Sequence, residues 1–224
     1  MKDYYKKKLA ADRLLNCYEI APPKVKAYLE AEIAYVLQRT SPFQTALELG
    51  CGYGRVLKRV ADNVGVAFGI DTSLESLRFA QNFMEGSGKV RLLLMDATQM
   101  GFPDRRFDLT FCIQNGICAF AVDRQRLFAE ALRVTRSGGT VLFSTYSDRF
   151  WKERLEWFEI QAAHGLVGEI DHEATREGVI VCKDGFRATT LDADGFQALS
   201  AAYGLAPRIV EVNASSLFYE VVAP

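Results

Sequence analysis

Residues 46–55 read Ala46-Leu47-Glu48-Leu49-Gly50-Cys51-Gly52-Tyr53-Gly54-Arg55. Ala46, Leu47 and Leu49 suit a buried strand. Gly50, Gly52 and Gly54 then alternate with Cys51 and Tyr53. Glycine has no Cβ, so the backbone can turn sharply and a ligand can come close. From Arg55 to Val64 the apolar residues Val56, Leu57, Val60 and Val64 share one helical face. A strand, a glycine turn and a helix in that order bring a helix N-terminus against a nucleotide-like ligand.

The 224 residues suit one domain with additions, and 49% hydrophobic with 25% charged content gives enough chain for a sizeable core. A net charge of −1 offers no electrostatic case for nucleic acid. The densest basic run, Lys6-Lys7-Lys8, reads as a solvated helix face. Cys17, Cys51, Cys112, Cys118 and Cys182 are scattered without a CxxC pair, so no zinc site or disulfide framework is indicated. Free thiols in a reducing cytoplasm are the expectation. The start, MKDYYKKKLAADR, lacks the apolar stretch of a secretory signal, and no apolar run reaches the roughly 18 residues of a membrane helix. The expected protein is cytoplasmic, off the membrane, and a monomer or homodimer.

Residues 1–40 read as helical, interrupted at Pro22-Pro23, where a second helix can start. Tyr4, Tyr5 and Tyr18 in this section either roof a site or simply pack. Strands follow at 45–49, 66–71, 90–95, 107–113 and 140–145, with helices at about 55–63, 74–86 and 122–135 between them. Strand two closes on Asp71, and Ser73 is a natural N-cap for the next helix. Strand three ends in Asp96-Ala97, strand four in Gln114-Asn115-Gly116, and strand five in Tyr146. Such alternation means a mainly parallel sheet covered on both faces, with ligands beyond the carboxyl ends of the strands. Glu48, Gly50 to Gly54, Asp71, Asp96, Gln114, Asn115 and Tyr146 collect there. Residues 148–190 break the rhythm: a helix over 148–164, then two strands, 168–173 and 178–183, around a charged turn, as an inserted substrate cover. A helix over 192–204 and strands at 207–212 and 217–222 close the chain.

This constellation resembles the class I S-adenosylmethionine-dependent methyltransferases, closely over about 42–147 and plausibly in the terminal helix and two strands. The resemblance implies a Rossmann-like α/β/α sandwich with a mainly parallel seven-stranded sheet whose last strand is antiparallel. It divides one methyltransferase domain into a helical cap (1–40), a cofactor-binding core (42–147), the cover (148–190) and a closing helix and strand pair (191–224). In that family the E-x-G-x-G-x-G loop, here Glu48 to Gly54, holds the methionine part of the cofactor. The acid ending strand two, Asp71, binds the ribose hydroxyls, and Asp96-Ala97 lies at the adenine. Phe102 to Phe111 matches the loop and fourth strand, and Arg133-Val134 to Gly138-Gly139 matches the lead into strand five. The expected cofactor-binding set is Tyr18, Glu48, Gly50, Cys51, Gly52, Gly54, Arg55, Asp71, Thr72, Asp96, Ala97, Gln114 and Asn115. No metal is expected. The product would be S-adenosylhomocysteine.

Two other functions stay open: a protein that binds the cofactor without catalysing transfer, and a nicotinamide oxidoreductase. The second needs glycine three residues after Gly52, where Arg55 stands. The expected reaction is an in-line methyl transfer to an oxygen or nitrogen of a small molecule. His172, tuned for proton transfer near neutral pH, and Tyr146 are the candidate catalytic residues, each with a packing or surface role as the alternative.

Overall fold

A computed structural model describes Tyr4 and residues 8–224; the expectations placed on Tyr5, Lys6 and Lys7 lie outside the described residues. Tyr4 and Lys8 are helical, and helices α1 (Asp12–Glu19) and α2 (Pro23–Leu37) follow, with Pro23 in the first turn of α2, where its missing N–H costs nothing. The core then alternates β1 (Thr45–Leu49), α3 (Arg55–Ala61), β2 (Val66–Asp71), α4 (Leu74–Phe83), β3 (Val90–Leu94) and β4 (Phe107–Cys112). After it come α5 (Gly116–Ala119), α6 (Arg124–Val134) and β5 (Thr135–Tyr146). Asp148–Phe150 is a 3-10 turn leading into α7 (Trp151–Ala163), followed by the short pair β6 (Ile180–Val181) and β7 (Arg187–Ala188). Helix α8 (Ala193–Ala201), β8 (Arg208–Val212) and β9 (Ser216–Val222) complete the described chain.

The seven-stranded sheet has the order β3-β2-β1-β4-β5-β9-β8. Strands β1 to β5 are parallel, and β9 runs antiparallel to both β5 and β8. This is the expected Rossmann-like architecture, with the last strand reversed. Alternate strand residues go to opposite faces. Leu47, Leu49, Val141 and Phe143 pack with Leu127, Phe128 and Ala131 of α6 and Phe196 and Leu199 of α8. Ala46, Ala67, Leu109 and Leu142 pack with Ile33 and Val36 of α2, Val56, Leu57 and Val60 of α3, and Leu77 and Ala80 of α4. A third apolar cluster joins the N-terminal helices to the insertion through Cys17, Tyr28, Leu29, Trp157, Phe158, Ile180 and Phe186.

Three elements differ from the sequence reading. Helix α4 stops at Phe83, and turns through Gly86, with φ at 87°, carry the chain to β3. Strand β5 begins five residues early because Gly138 and Gly139 pair with Ala223 beyond the end of β9. A Cβ on Gly139 would lie 2.9 Å from the Asp108 carbonyl oxygen, so only glycine lets the strand pass there. In the insertion, 168–173 meets 181–183 only at the antiparallel bridge between Ile170 and Cys182, because Asp171 accepts from the Glu173 and Ala174 N–H groups and closes a turn. The hairpin forms one step later, between β6 and β7, turning at Asp184-Gly185, where Gly185 has φ 89°.

Candidate functional site

The carboxyl ends of β1, β2 and β4 open onto one cleft. Gly50 and Cys51 both donate their N–H to the Ile70 carbonyl, at 2.8 and 2.9 Å, which folds the loop back across the end of β2. Gly50, Gly52 and Gly54 have φ of 72°, 53° and 86°, a region that disfavours a side chain. The Gly52 N–H donates to Asp71 Oδ2 at 2.8 Å, and the Ser73 N–H donates to Asp71 Oδ1 at 2.7 Å. The Asp71 carboxylate thus ties the glycine loop to the N-cap of α4, where Ser73 accepts from the Ser76 N–H.

The cleft is a cavity of about 220 Å³. Gly50, Gly52, Asp71, Thr72, Asp96 and Ala97 line one side, Gln114, Ile113, Phe120 and Val122 another, and Tyr4, Leu9, Leu14 and Tyr18 close over it. Asp96 is fixed by Thr98, whose N–H and hydroxyl both donate to its Oδ1 at 2.8 and 2.7 Å. A Cβ on Gly50 would fall 2.2 Å from the Phe120 ring, whereas one on Gly52 would meet only Leu14, at 2.9 Å.

Around and behind the lining lies a set of buried polar groups. Gln114, in a left-handed conformation with φ 57°, accepts from the Tyr18 hydroxyl through Oε1 at 2.8 Å. The Arg55 guanidinium stacks over the Tyr18 ring, 4.7 Å from its centroid. Glu48 Oε2, Arg55 Nε and Nη2, and Gln114 Nε2 are buried without a hydrogen-bond partner. Groups of this kind are costly to leave unmade. Burial pushes the Glu48 carboxyl well above its ordinary range, against the opposing pull of Arg55.

Of the residues expected to hold a cofactor, Tyr18, Gly50, Gly52, Asp71, Thr72, Asp96, Ala97 and Gln114 line the cleft. Glu48 and Arg55 stand behind it, and Gly54 caps α3. The Cys51 side chain turns away, toward Gly69 of β2. Asn115 accepts from the Thr145 hydroxyl and donates to the Thr189 carbonyl, both at 2.9 Å, so it fastens the segment after β7 to the strand ends.

His172 does not reach the cleft. It lies on the turn closed by Asp171, with its side chain 68% exposed and Nδ1 3.9 Å from Glu159 Oε1. Tyr146 is buried, and its ring faces the Arg154 guanidinium at 4.6 Å. It lines a second cavity of about 400 Å³, together with Ser147, Trp151, Arg154, Glu177 and Thr190. Burial pushes its hydroxyl up to about 12.

The sequence reading missed Leu9, Leu14, Phe120 and Val122 in the lining, since apolar residues in such places look like any core residue. It also missed Glu32, fully buried beneath Gln114. A signal for Glu32 existed: it falls four residues after Tyr28 and four before Val36, on the apolar face of α2. Among the described residues no group of three or more His, Cys, Asp or Glu is placed to hold a metal ion.

A mainly parallel sheet with a glycine loop after β1 and acids at the ends of β2 and just past β3 is a Rossmann-like arrangement. Residues 46–139 match the family model described as a methyltransferase domain. Over that stretch the chain is thus similar to a methyltransferase domain. It is 30% identical over 149 residues to phosphoethanolamine N-methyltransferase 2 of Caenorhabditis elegans, a match over 62% of this chain and 33% of that one. It is 31% identical over 147 residues to a malonyl-[acyl-carrier protein] O-methyltransferase of Hamiltonella defensa, over 64% of this chain and 53% of that one. The chain therefore spans a third to about half of the length of these curated relatives. The fold is also that of the PH0226 protein from Pyrococcus horikoshii OT3, with a TM-score of 0.69 at 19% identity and complete coverage of both chains.

Proposed function

We propose that the chain is a methyltransferase that binds S-adenosylmethionine in this cleft and methylates an oxygen or nitrogen of a small molecule. The observation that carries the reading is the set of buried, unpartnered polar atoms on Glu48, Arg55 and Gln114 behind Gly52. Their chemistry fits the amino-acid end of the cofactor. An acid and a side-chain amide oxygen suit an ammonium group, and guanidinium and amide N–H groups suit a carboxylate. Asp71, beside Gly52, and Asp96 supply further acceptors in the cavity, as ribose hydroxyls and an adenine require. When bound, the cofactor supplies a methyl group on a cationic sulfur.

The protein's part is positioning and exclusion of water. Gly50 and Gly52 let the ligand approach the main chain. Asp71 fixes the loop. Leu9, Leu14, Tyr18 and Phe120 cover the cavity with apolar surface, which strengthens electrostatic contacts inside it. Holding two reactants close in such a site can supply up to roughly 7–11 kcal/mol of the barrier. No covalent nucleophile is required. The phenol of Tyr146 is held neutral near neutral pH, and His172 lines neither cavity, so neither is assigned the role of base.

The two curated relatives are named as an N-methyltransferase and an O-methyltransferase, which supports a nitrogen or oxygen acceptor and leaves the molecule open. We read the four segments as one functional unit, with residues 148–190 and the N-terminal helices choosing the acceptor. Methyl transfer is tested with isotopically labelled S-adenosylmethionine and a metabolite extract, read by mass spectrometry. Label in a small molecule supports the reading. Tight cofactor binding with no labelled product from any extract favours a protein that binds without catalysing.

A further inference from the structure

Glu32 is a buried ionisable group that this function does not use. It sits on α2, fully enclosed, with Tyr28 one turn before it. Its Oε2 accepts the main-chain N–H of Gln114 at 2.7 Å, and its Oε1 accepts the Ser216 hydroxyl at 2.8 Å. The same Gln114 N–H also reaches Ser144 Oγ at 2.8 Å. One carboxyl therefore joins α2 to the end of β4 and to the start of β9, at a residue whose φ is 57°. A left-handed, non-glycine residue persists only where its surroundings hold it.

We propose that Glu32 is a positioning residue: its carboxylate holds the Gln114 main chain in the conformation that turns the Gln114 side chain into the cleft. The assignment rests on the methyltransferase reading above. Gln114 meets Tyr18 through Oε1 and keeps Nε2 for a ligand, so a shift of its backbone is felt at the amino-acid end of the cofactor and not at the adenosine end.

The state of Glu32 matters because a charged acceptor holds an N–H more strongly than a neutral one. Burial pushes its carboxyl up to about 7, against hydrogen bonds from Ser144, Ser216 and Gln114 and the charge of Arg55, which pull it down. The titratable and charged groups facing it are Tyr28 on its own helix, Arg55 on α3, Cys112 on β4 and Tyr146 at the end of β5. Burial raises Tyr28, Cys112 and Tyr146, so all three stay protonated from pH 6 to 8. Glu48 is a second raised carboxyl at the cleft, which is why a variant of Glu32 itself must be compared.

The test is calorimetric titration of the full chain with S-adenosylhomocysteine and with adenosine from pH 6 to 8.5. The wild type is expected to bind S-adenosylhomocysteine about fivefold more weakly at the acidic end, the difference between a charge-assisted and a neutral hydrogen bond. Glu32→Gln, which resembles the protonated side chain in shape, is expected to bind at that weaker level at both ends of the range. Adenosine affinity should change less than about twofold throughout, whereas a merely structural loss would weaken both ligands. Ser216→Ala removes a hydrogen bond that pulls the Glu32 carboxyl down, so it should move the midpoint of the wild-type profile to higher pH. A Glu32→Gln profile parallel to the wild type, or a Ser216→Ala midpoint that does not move, overturns the assignment. If the wild type fails to bind S-adenosylhomocysteine at every pH, the cofactor reading falls and takes this assignment with it.

Discussion

The Gly52 N–H donates to Asp71 Oδ2 at 2.8 Å, which adds a side-chain tie between the glycine loop and the end of the second strand to the two main-chain bonds that Gly50 and Cys51 make to Ile70. The second oxygen of the same carboxylate accepts from Ser73 at 2.7 Å. Asp71 therefore holds the loop in place besides presenting an acceptor to the cleft. Asp71→Ala is expected to lower S-adenosylhomocysteine affinity at least about tenfold and to cost about 1–3 kcal/mol of stability, because two backbone N–H groups lose their acceptor. Calorimetric titration and urea unfolding measure the two effects. A loss of affinity with unchanged stability would show that the carboxylate serves the ligand alone.

Gly52→Val should abolish S-adenosylhomocysteine binding. The added side chain enters the cavity, and a Cβ there already meets Leu14 at 2.9 Å. A β-branched residue at φ 53° also adds strain of about 1–3 kcal/mol. The variant is expected to remain folded, with a lowered melting temperature on scanning calorimetry. Wild-type affinity in the folded variant would mean the ligand lies elsewhere.

The glycine loop, the two acids and the alternation of strands and helices were legible in the sequence because local chemistry dictates them. Glycines at positive φ, an N-cap serine after Asp71, and alternating strands and helices each leave a pattern in the chain. The cover was less legible. Whether residues 168–173 form a strand depended on the Asp171 side chain closing a turn, a competition the apolar pattern does not record. His172 drew attention as a residue type, but its place on that turn points it to solvent. Glu32 was legible only as a charged residue on the apolar face of α2; its partners, Gln114 just past β4 and Ser216 on β9, are far away in the chain and leave no mark near it.

Arg133 explains the arginine in the lead to strand five. Its guanidinium donates to the Met100 and Phe102 carbonyls at 2.9 and 2.8 Å, to Asp104 at 2.7 Å and to Glu130 at 2.6 Å. It thereby fastens the 98–106 loop, which begins beside Asp96, to α6. Arg133→Ala should cost about 2–3 kcal/mol of stability. Faster hydrogen exchange at Met100, whose N–H donates to Glu130 Oε2 at 2.6 Å, would accompany it. Exchange at Met100 unchanged by the substitution would contradict the clamp.

Stability should carry the mark of the buried carboxyls. A carboxyl raised in the folded state favours its protonated form there, so its contribution to stability is present below the unfolded value and is lost as pH rises through the folded one. For Glu32 that window runs from 4.5 to about 7. The stability of Glu32→Gln relative to the wild type should therefore increase from pH 5 to pH 7, by on the order of 2 kcal/mol, and then level off. Urea unfolding at several pH values reads the difference. A difference that does not vary with pH would contradict the burial of an ionisable group at this position.

Competitive titration of the unmodified protein with S-adenosylhomocysteine and with NADH tests the central claim most directly. The account predicts micromolar binding of S-adenosylhomocysteine, lost in Gly52→Val, and no measurable binding of NADH. Micromolar binding of NADH without binding of S-adenosylhomocysteine would contradict it.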